Sequence, residues 1–258
     1  MKQKRGFGLI GKTLTHSFSK DYFTNKFVKE EILDCEFNLF PLSDVLLLPS
    51  LLQLNPNIEG LSVTIPYKES VMELLHEQDE TARKVGAVNC IKIQRTNAQP
   101  NLIGYNTDVF GFRQSIKPFL ESQHERALIL GTGGASKAVE YVLNEIGIDC
   151  YFVSRDKASK TNRLSSNRRF EYQELTENYM KAFKLIVNTT PLGMFPDVTS
   201  APAIPYEFLT PSHLLYDLTY NPEETEFLKR GKQQGTTIVN GYSMLKQQAE
   251  EAWRIWNK

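Results

Sequence analysis

The sequence predicts a two-domain α/β protein, and three observations carry that expectation. Short apolar runs of strand length alternate with runs of helical periodicity along the chain, the pattern of sheets covered by helices. Near Gly104 the texture changes, from strand ends crowded with small polar residues to a clean strand–turn–helix–strand unit. That unit carries Gly131-Thr132-Gly133-Gly134 between a buried strand and an amphipathic helix, an arrangement resembling a Rossmann-like dinucleotide-binding fold. A chain of 258 residues can bury one large core or two modest ones, which suits two domains.

In chain order, Gly8-Leu9-Ile10 ends a short strand, and the apolar spacing from Tyr22 to Leu33 predicts a helix. Glu36 to Phe40 reads as a second strand. Val45, Leu46, Leu48, Leu51 and Leu52 have helical spacing, interrupted at Pro49. Gly60 to Ile65 is a third strand, stopped by Pro66. Two helical segments follow, and Ala87 to Ile93 returns to strand. The polar stretch Thr96 to Asn101 reads as a loop. Beyond Gly104, Asp108 to Leu120 predicts a linking helix, Ala127 to Leu130 a buried strand, Ala135 to Ile146 an amphipathic helix and Cys150 to Val153 the next strand. Lys184 to Asn188 and Leu214 to Leu218 are the short apolar runs that parallel strands use. Phe195 to Pro211 is a proline-rich surface loop, and Ser243 to Trp256 a terminal helix capped near Asn240-Gly241. Strand–helix alternation in both halves predicts parallel sheets in both.

Composition narrows the function. Thirty basic residues balance thirty acidic ones, so no net field draws nucleic acid or an anionic membrane, and neither is expected as a partner. A small anionic substrate stays compatible, because local groups bind it without help from net charge. Cys35, Cys90 and Cys150 are odd in number, widely spaced and set in apolar stretches, which reads as core side chains in a reducing compartment. The four histidines lack ligand spacing, so no bound metal is expected. The basic start Met1-Lys2-Gln3-Lys4-Arg5 leads only into a short apolar strand, and no run approaches a membrane span; the expected location is the cytoplasm.

The glycine turn gains chemical meaning from its place. Gly131 permits the tight turn, and Gly133 lets the main chain approach a pyrophosphate. The helix starting there aims unpaired N–H groups and a positive dipole end at the same spot. Gly134 comes early, and Ala138 stands in place of a third glycine, small enough to keep helix and strand close. By itself the turn favours a dinucleotide over an ordinary glycine-rich connection, which stays the alternative. About 24 residues after Gly131 the next strand ends in Val153-Ser154-Arg155, near the ribose-reading position. An acidic residue there would favour NAD; Arg155 suits a 2′-phosphate, with Lys157 and Lys160 as helpers, so NADP is the expected cofactor. Asp156 pulls the other way, since a carboxylate at that turn repels phosphate.

Seven further segments sit at strand or helix ends: His16-Ser17-Phe18-Ser19, Gly60 to Lys68, Gly86-Ala87-Val88-Asn89, Gly104-Tyr105-Asn106-Thr107-Asp108, Val187 to Met194, Tyr216 to Tyr220, and Met244-Leu245-x-x-Gln248-Ala249. In this order, and over essentially the whole chain, they resemble the shikimate dehydrogenase family. The resemblance implies NADP-dependent interconversion of 3-dehydroshikimate and shikimate, in the pathway to aromatic amino acids. It places Lys68 on the catalytic lysine, with Asp108 as its partner. Ser17 and Ser19, with Tyr220 nearby, fall where the family binds the substrate carboxylate. Thr64, Asn89, Asp108 and Gln248 fall on positions that hold ring hydroxyls. Gly131, Thr132, Gly133, Gly134, Ala135, Ser154 and Arg155 fall on the cofactor turn and ribose positions, while Leu218 and Gly241 match positions that touch the nicotinamide through backbone. The implied architecture is an N-terminal α/β substrate domain, residues 1–103 closed by the C-terminal helix of about 240–258, and a Rossmann-like NADP-binding domain over 104–239. A monomer or homodimer is expected.

These residue types make chemical sense. A ring carboxylate with three oxygens needs directional donors and acceptors and one charge partner, and each unmatched buried polar group costs about 1–3 kcal/mol. A lysine ammonium can stabilise charge developing on a carbonyl oxygen and donate the proton, and a carboxylate beside it can orient the amine. Taken singly, Lys68 reads as an exposed helix-start residue, Asp108 as a helix cap, Ser17 and Ser19 as caps for a helix near Asp21, and Asn89, Gln248 and Tyr220 as backbone or packing partners. His16 has no sequence partner for a general-base role, and Trp253 and Trp256 read as packing of the terminal helix. The chain departs from the family pattern at Lys12-Thr13-Leu14, Lys20 and Ser62, and at Ser154 and Asp156, which flank Arg155 and bear on the cofactor. Two alternatives stay open: a quinate/shikimate dehydrogenase that accepts NAD, supported by Asp156, and a catalytically silent shikimate-binding regulator, opposed by Lys68 with Asp108.

Overall fold

In the computed structural model, residues 4–14, 17–95, 100–155 and 168–258 are described. The chain divides into two compact units, Met1–Thr107 with Ala249–Lys258, and Asp108–Gln248.

The first unit is built on β1 (Arg5–Gly11), β2 (Cys35–Pro41), β3 (Ile58–Val63), β4 (Glu77–Gln78), β5 (Cys90–Gln94) and β6 (Asn101–Tyr105), in the sheet order β2-β1-β3-β5-β6-β4. β1 pairs in parallel with β2 and β3, but β5 runs antiparallel to both β3 and β6. The sheet is therefore mixed, where alternation predicts a parallel one. The connection explains it. Only Arg95 to Pro100 joins β5 to β6, and a parallel return would need a crossover of about a dozen residues or more.

Helix α1 (Phe18–Lys29) starts four residues earlier than its apolar spacing predicts, because Ser17 caps it: extended at φ −133°, it accepts a hydrogen bond from Lys20 N. It stops before Leu33, where Glu31 takes a left-handed backbone at φ 55°. Pro49 begins α2 (Leu48–Leu54) instead of interrupting a helix; in a first turn its missing N–H costs nothing. α3 (Glu80–Val85) is capped by Asp79, which accepts from Thr81 N and Ala82 N.

Side chains alternating along β1 feed two apolar layers. Ile10 joins Leu48, Leu61 and Ile91 in one. Phe7 joins Phe23, Phe37 and Trp256 in the other, where Trp256 stacks on Phe7 at 5.2 Å and donates to the Ile91 carbonyl at 3.1 Å. The end of the C-terminal helix thus belongs to the first unit, with both tryptophans packed on Phe7. Cys35, Cys90 and Cys150 are free thiols buried in apolar surroundings.

The second unit holds β7 (Arg126–Leu130), β8 (Asp149–Ser154), β9 (Arg169–Glu171), β10 (Leu185–Asn188), β11 (Leu214–Asp217) and β12 (Thr237–Val239), in the order β12-β11-β10-β7-β8-β9. Every pairing is parallel. The chain winds outward from β7 to β9, then crosses to β10 and winds outward to β12, the strand order of a doubly wound dinucleotide-binding sheet. α4 (Thr107–Ile116) leads into this unit and α8 (Tyr242–Trp256) leads out; α5 (Gly134–Glu145), α6 (Glu177–Ala182) and α7 (Glu226–Gln233) lie between them in sequence. α5 buries Ala138, Val139, Val142 and Leu143, the stripe its periodicity predicts. Among the described residues no helix is long and apolar enough to cross a membrane.

Candidate active site

The Rossmann-like unit puts its chemistry at the carboxyl ends of its strands. β7 lies between β8 and β10, so the turn after it sits where the winding reverses, the place at which such sheets bind ligands. Gly131 follows β7 at φ +101°, in the left-handed region that favours glycine. Its N–H donates to the Val153 carbonyl at 2.9 Å. A Cβ there would lie 2.9 Å from Thr190 Cγ2, whereas one on Gly133 would meet nothing within 4 Å. Gly133 caps α5 without a side chain, so the first amide groups of a twelve-residue helix face outward beside Thr132, Gly134 and Ala135. Ser136 Oγ turns back to the Gly133 carbonyl at 2.6 Å. These features fit a dinucleotide pyrophosphate: room for close approach, main-chain donors and a positive dipole end.

At the end of β8, Ser154 is half-buried and Arg155 exposed. Arg155 lines a pocket with Glu171, Tyr172, Gln173 and Ala203. Burial pushes the Tyr172 phenol up to about 12, with the Arg155 charge opposing that shift. Asp156, Lys157 and Lys160 lie outside the described residues, as does His16.

The ends of β10 and β11 are tied together by a cluster that sequence reasoning did not assign. Asp217, fully buried, accepts from Asn188 Nδ2 at 3.1 Å and Thr219 N at 2.9 Å through Oδ1, and from Thr225 Oγ1 at 2.6 Å through Oδ2. Asn188 Oδ1 accepts in turn from Thr190 N and Thr190 Oγ1. Leu218 donates its N–H to the Asn188 carbonyl at 3.0 Å, and Gly241 donates to the Thr219 carbonyl at 3.0 Å. The signal for this cluster was visible in the segments around Asn188 and Asp217, but partners so distant in sequence cannot be paired without the sheet. Tyr220, half-buried, follows at the same strand end.

In the first unit the main chain gathers Thr64, Lys68 and Asn89 at one end of the sheet. Thr64 N donates to the Ile10 carbonyl at 2.9 Å and Val63 N to the Asn89 carbonyl at 2.8 Å. Val88 N donates to the Lys68 carbonyl at 2.7 Å, and Asn89 N to the Tyr105 carbonyl at 3.1 Å. Lys68 is half-buried, not an exposed helix-start residue. Ser17 and Ser19 stand at the start of α1, the first as its cap and the second buried.

Asn89 has a structural task. Its Oδ1 accepts from Thr107 N at 2.7 Å and its Nδ2 donates to Thr107 Oγ1 at 3.0 Å, which satisfies an open donor where α4 begins. Asp108 is the next residue, buried in the first turn of that helix rather than at its cap. One turn on, Gly111 lets α8 approach closely: a Cβ there would lie 2.6 Å from the Met244 carbonyl oxygen and 3.0 Å from Gln248 Cβ. Gln248 is buried and donates through Nε2 to the Leu245 carbonyl at 3.0 Å. Asp108, on the Gly111 face by helical spacing, and Gln248 therefore belong to one helix crossing.

A family model described as the shikimate dehydrogenase substrate binding domain matches residues 9–91. A shikimate dehydrogenase (NADP(+)) of Methanosphaera stadtmanae is 35% identical over 265 residues, covering 96% of this chain and 90% of that relative. Its counterpart in Caldanaerobacter subterraneus is 36% identical, covering 97% of this chain and 90% of the relative. Among solved structures, shikimate dehydrogenase from Aquifex aeolicus superposes with a TM-score of 0.86 at 30% identity, over 100% of this chain and 94% of the other.

Proposed function

The chain belongs to the shikimate dehydrogenase family, and on that premise we propose how its residues divide the work of this NADP-dependent enzyme. The activity is the reversible reduction of 3-dehydroshikimate to shikimate. The single observation that supports the reading best is the clustering of Thr64, Lys68 and Asn89 at one sheet end, with Asn89 starting the helix that carries Asp108.

Lys68 serves as the proton donor in reduction: its ammonium faces the carbonyl oxygen of the substrate, offsets the negative charge that develops there and delivers the proton. In oxidation the neutral amine takes the hydroxyl proton back. Asp108 orients the amine and accepts from a ring hydroxyl. Thr64, Asn89 and Gln248 hold the remaining hydroxyls. Ser17 and Ser19, with Tyr220, bind the carboxylate, Ser17 doing so while its side chain also caps α1.

NADP, when bound, supplies the hydride chemistry. The chain holds it through Gly131, Thr132, Gly133, Gly134 and Ala135 at the pyrophosphate, Ser154 and Arg155 at the 2′-phosphate, and the backbone of Leu218 and Gly241 at the nicotinamide. We take the enzyme to act in the cytoplasm, where its buried thiols stay reduced. Following absorbance of the reduced cofactor during shikimate oxidation, with NADP and NAD in parallel, tests the reading. Turnover with NADP is expected to dominate; no turnover with either would overturn it.

A further inference from the structure

We propose that Asp217 is a positioning residue for the nicotinamide end of the cofactor, setting the main chain of Leu218 to Tyr220 and of Thr189–Thr190 in register. The inference rests on the reading above that Leu218 and Gly241 meet the nicotinamide, and deepens it.

The geometry is that of a fully occupied carboxylate. Three donors converge on it, one from β10 (Asn188), one from the turn after β11 (Thr219) and one from the cap of α7 (Thr225). Among the described residues it forms no ion pair with a lysine or arginine, so its charge is satisfied by hydrogen bonds alone. A buried charge without a counter-ion is costly, and stability alone would be served as well by an apolar residue. What the carboxylate adds is direction. Through its bond with Thr219 N it fixes the residue whose own carbonyl receives Gly241 N–H. Through Asn188 it fixes Thr190, whose methyl lies against Gly131. One side chain thereby ties the turns after β10 and β11 to the glycine turn after β7. None of its bonds reaches toward Arg155, so the adenosine half of the cofactor lies beyond its influence.

That asymmetry gives the test. Asp217→Asn keeps the volume but replaces one acceptor with an N–H that faces a donor. Dissociation constants of NADPH, from its fluorescence, and of 2′,5′-ADP, which lacks the nicotinamide, would be measured on wild type and D217N. The expected result is unchanged 2′,5′-ADP binding, NADPH weakened about tenfold, a fall in kcat for shikimate oxidation and an unchanged KM for shikimate. Equal weakening of both probes would mean general loosening and would overturn the proposal, as would no change in either. Should D217N fail to fold, Thr225→Val removes one donor and leaves the charge, and the same contrast between probes decides. Wild type separates the two levels: if it binds NADPH yet does not oxidise shikimate, the functional reading fails while the probe contrast still tests Asp217.

Discussion

The main chains of Gly241 and Leu218 meet so closely that a Cβ on Gly241 would stand 2.0 Å from the Leu218 carbonyl oxygen. No side chain fits there without moving backbone. Gly241→Ala is therefore expected to cost about 1–3 kcal/mol through overpacking, and the strain falls on the backbone proposed to meet the nicotinamide. A urea unfolding curve would read the first effect, and kcat with NADP the second. An alanine variant matching wild type in both would show that the approach can relax, and would remove Gly241 from the site.

Lys68→Ala isolates the proton. Loss of a positioned acid–base group lowers turnover about 10²–10⁴-fold, while NADPH affinity, which depends on the other unit, is expected to hold within about twofold. Steady-state kinetics with a fluorescence titration of NADPH separates the two. Turnover that survives would remove Lys68 from the chemistry.

How much was legible in the sequence follows from how local each feature is. β7, the glycine turn and α5 were read nearly to the residue, because their signals are contiguous: a buried run, a left-handed glycine, an amphipathic stripe. β6 leaves no strand signal in the sequence, since Asn101 to Tyr105 mixes polar and small residues behind a polar loop, and its antiparallel pairing depends on the shortness of that loop. Ser17 reads from the sequence both as a substrate contact and as a helix cap, and the cap on α1 is what the structure shows; for Asn89 the pattern suggests a backbone partner, but that this partner is Thr107 at the start of α4 appears only once the helix is in place. The sequence places Asp217 in a motif but gives it no task, because its donors come from Asn188 and Thr225, one of them a strand away. Sequence shows which polar residues are present; the sheet shows which of them share a carboxylate.

The proposed contact of Arg155 with the 2′-phosphate can be tested directly. A charge-assisted hydrogen bond to a phosphate contributes about 1.5–3 kcal/mol, so Arg155→Ala is expected to raise the KM for NADP by roughly tenfold to a hundredfold while leaving that for NAD unchanged. The ratio of the two KM values is the measurement. Equal effects on both cofactors would mean that Arg155 merely shields the Tyr172 ring, whose phenol its charge already influences.

Asp217 also predicts a dependence of stability on pH. Burial pushes its carboxyl up to about 6, with hydrogen bonds from Thr225, Thr219 and Asn188 opposing that shift. In the unfolded chain the same group titrates near the usual aspartate value of about 3.9. At pH 5 the folded protein thus retains a proton that the unfolded one has released. A folded value raised above the unfolded one means that this contribution to stability is complete below about pH 4 and is lost as pH rises through about 6. The nearby phenols of Tyr206 and Tyr216 are pushed up by burial and stay neutral throughout that window. Asp217→Asn removes the titration altogether. The unfolding free energy of wild type minus that of D217N, from urea midpoints at matched pH, is expected to become more favourable to wild type between pH 7 and pH 5. A difference that stays flat, or moves against wild type, would show that the carboxylate remains ionised in the core, its three donors having outweighed its burial.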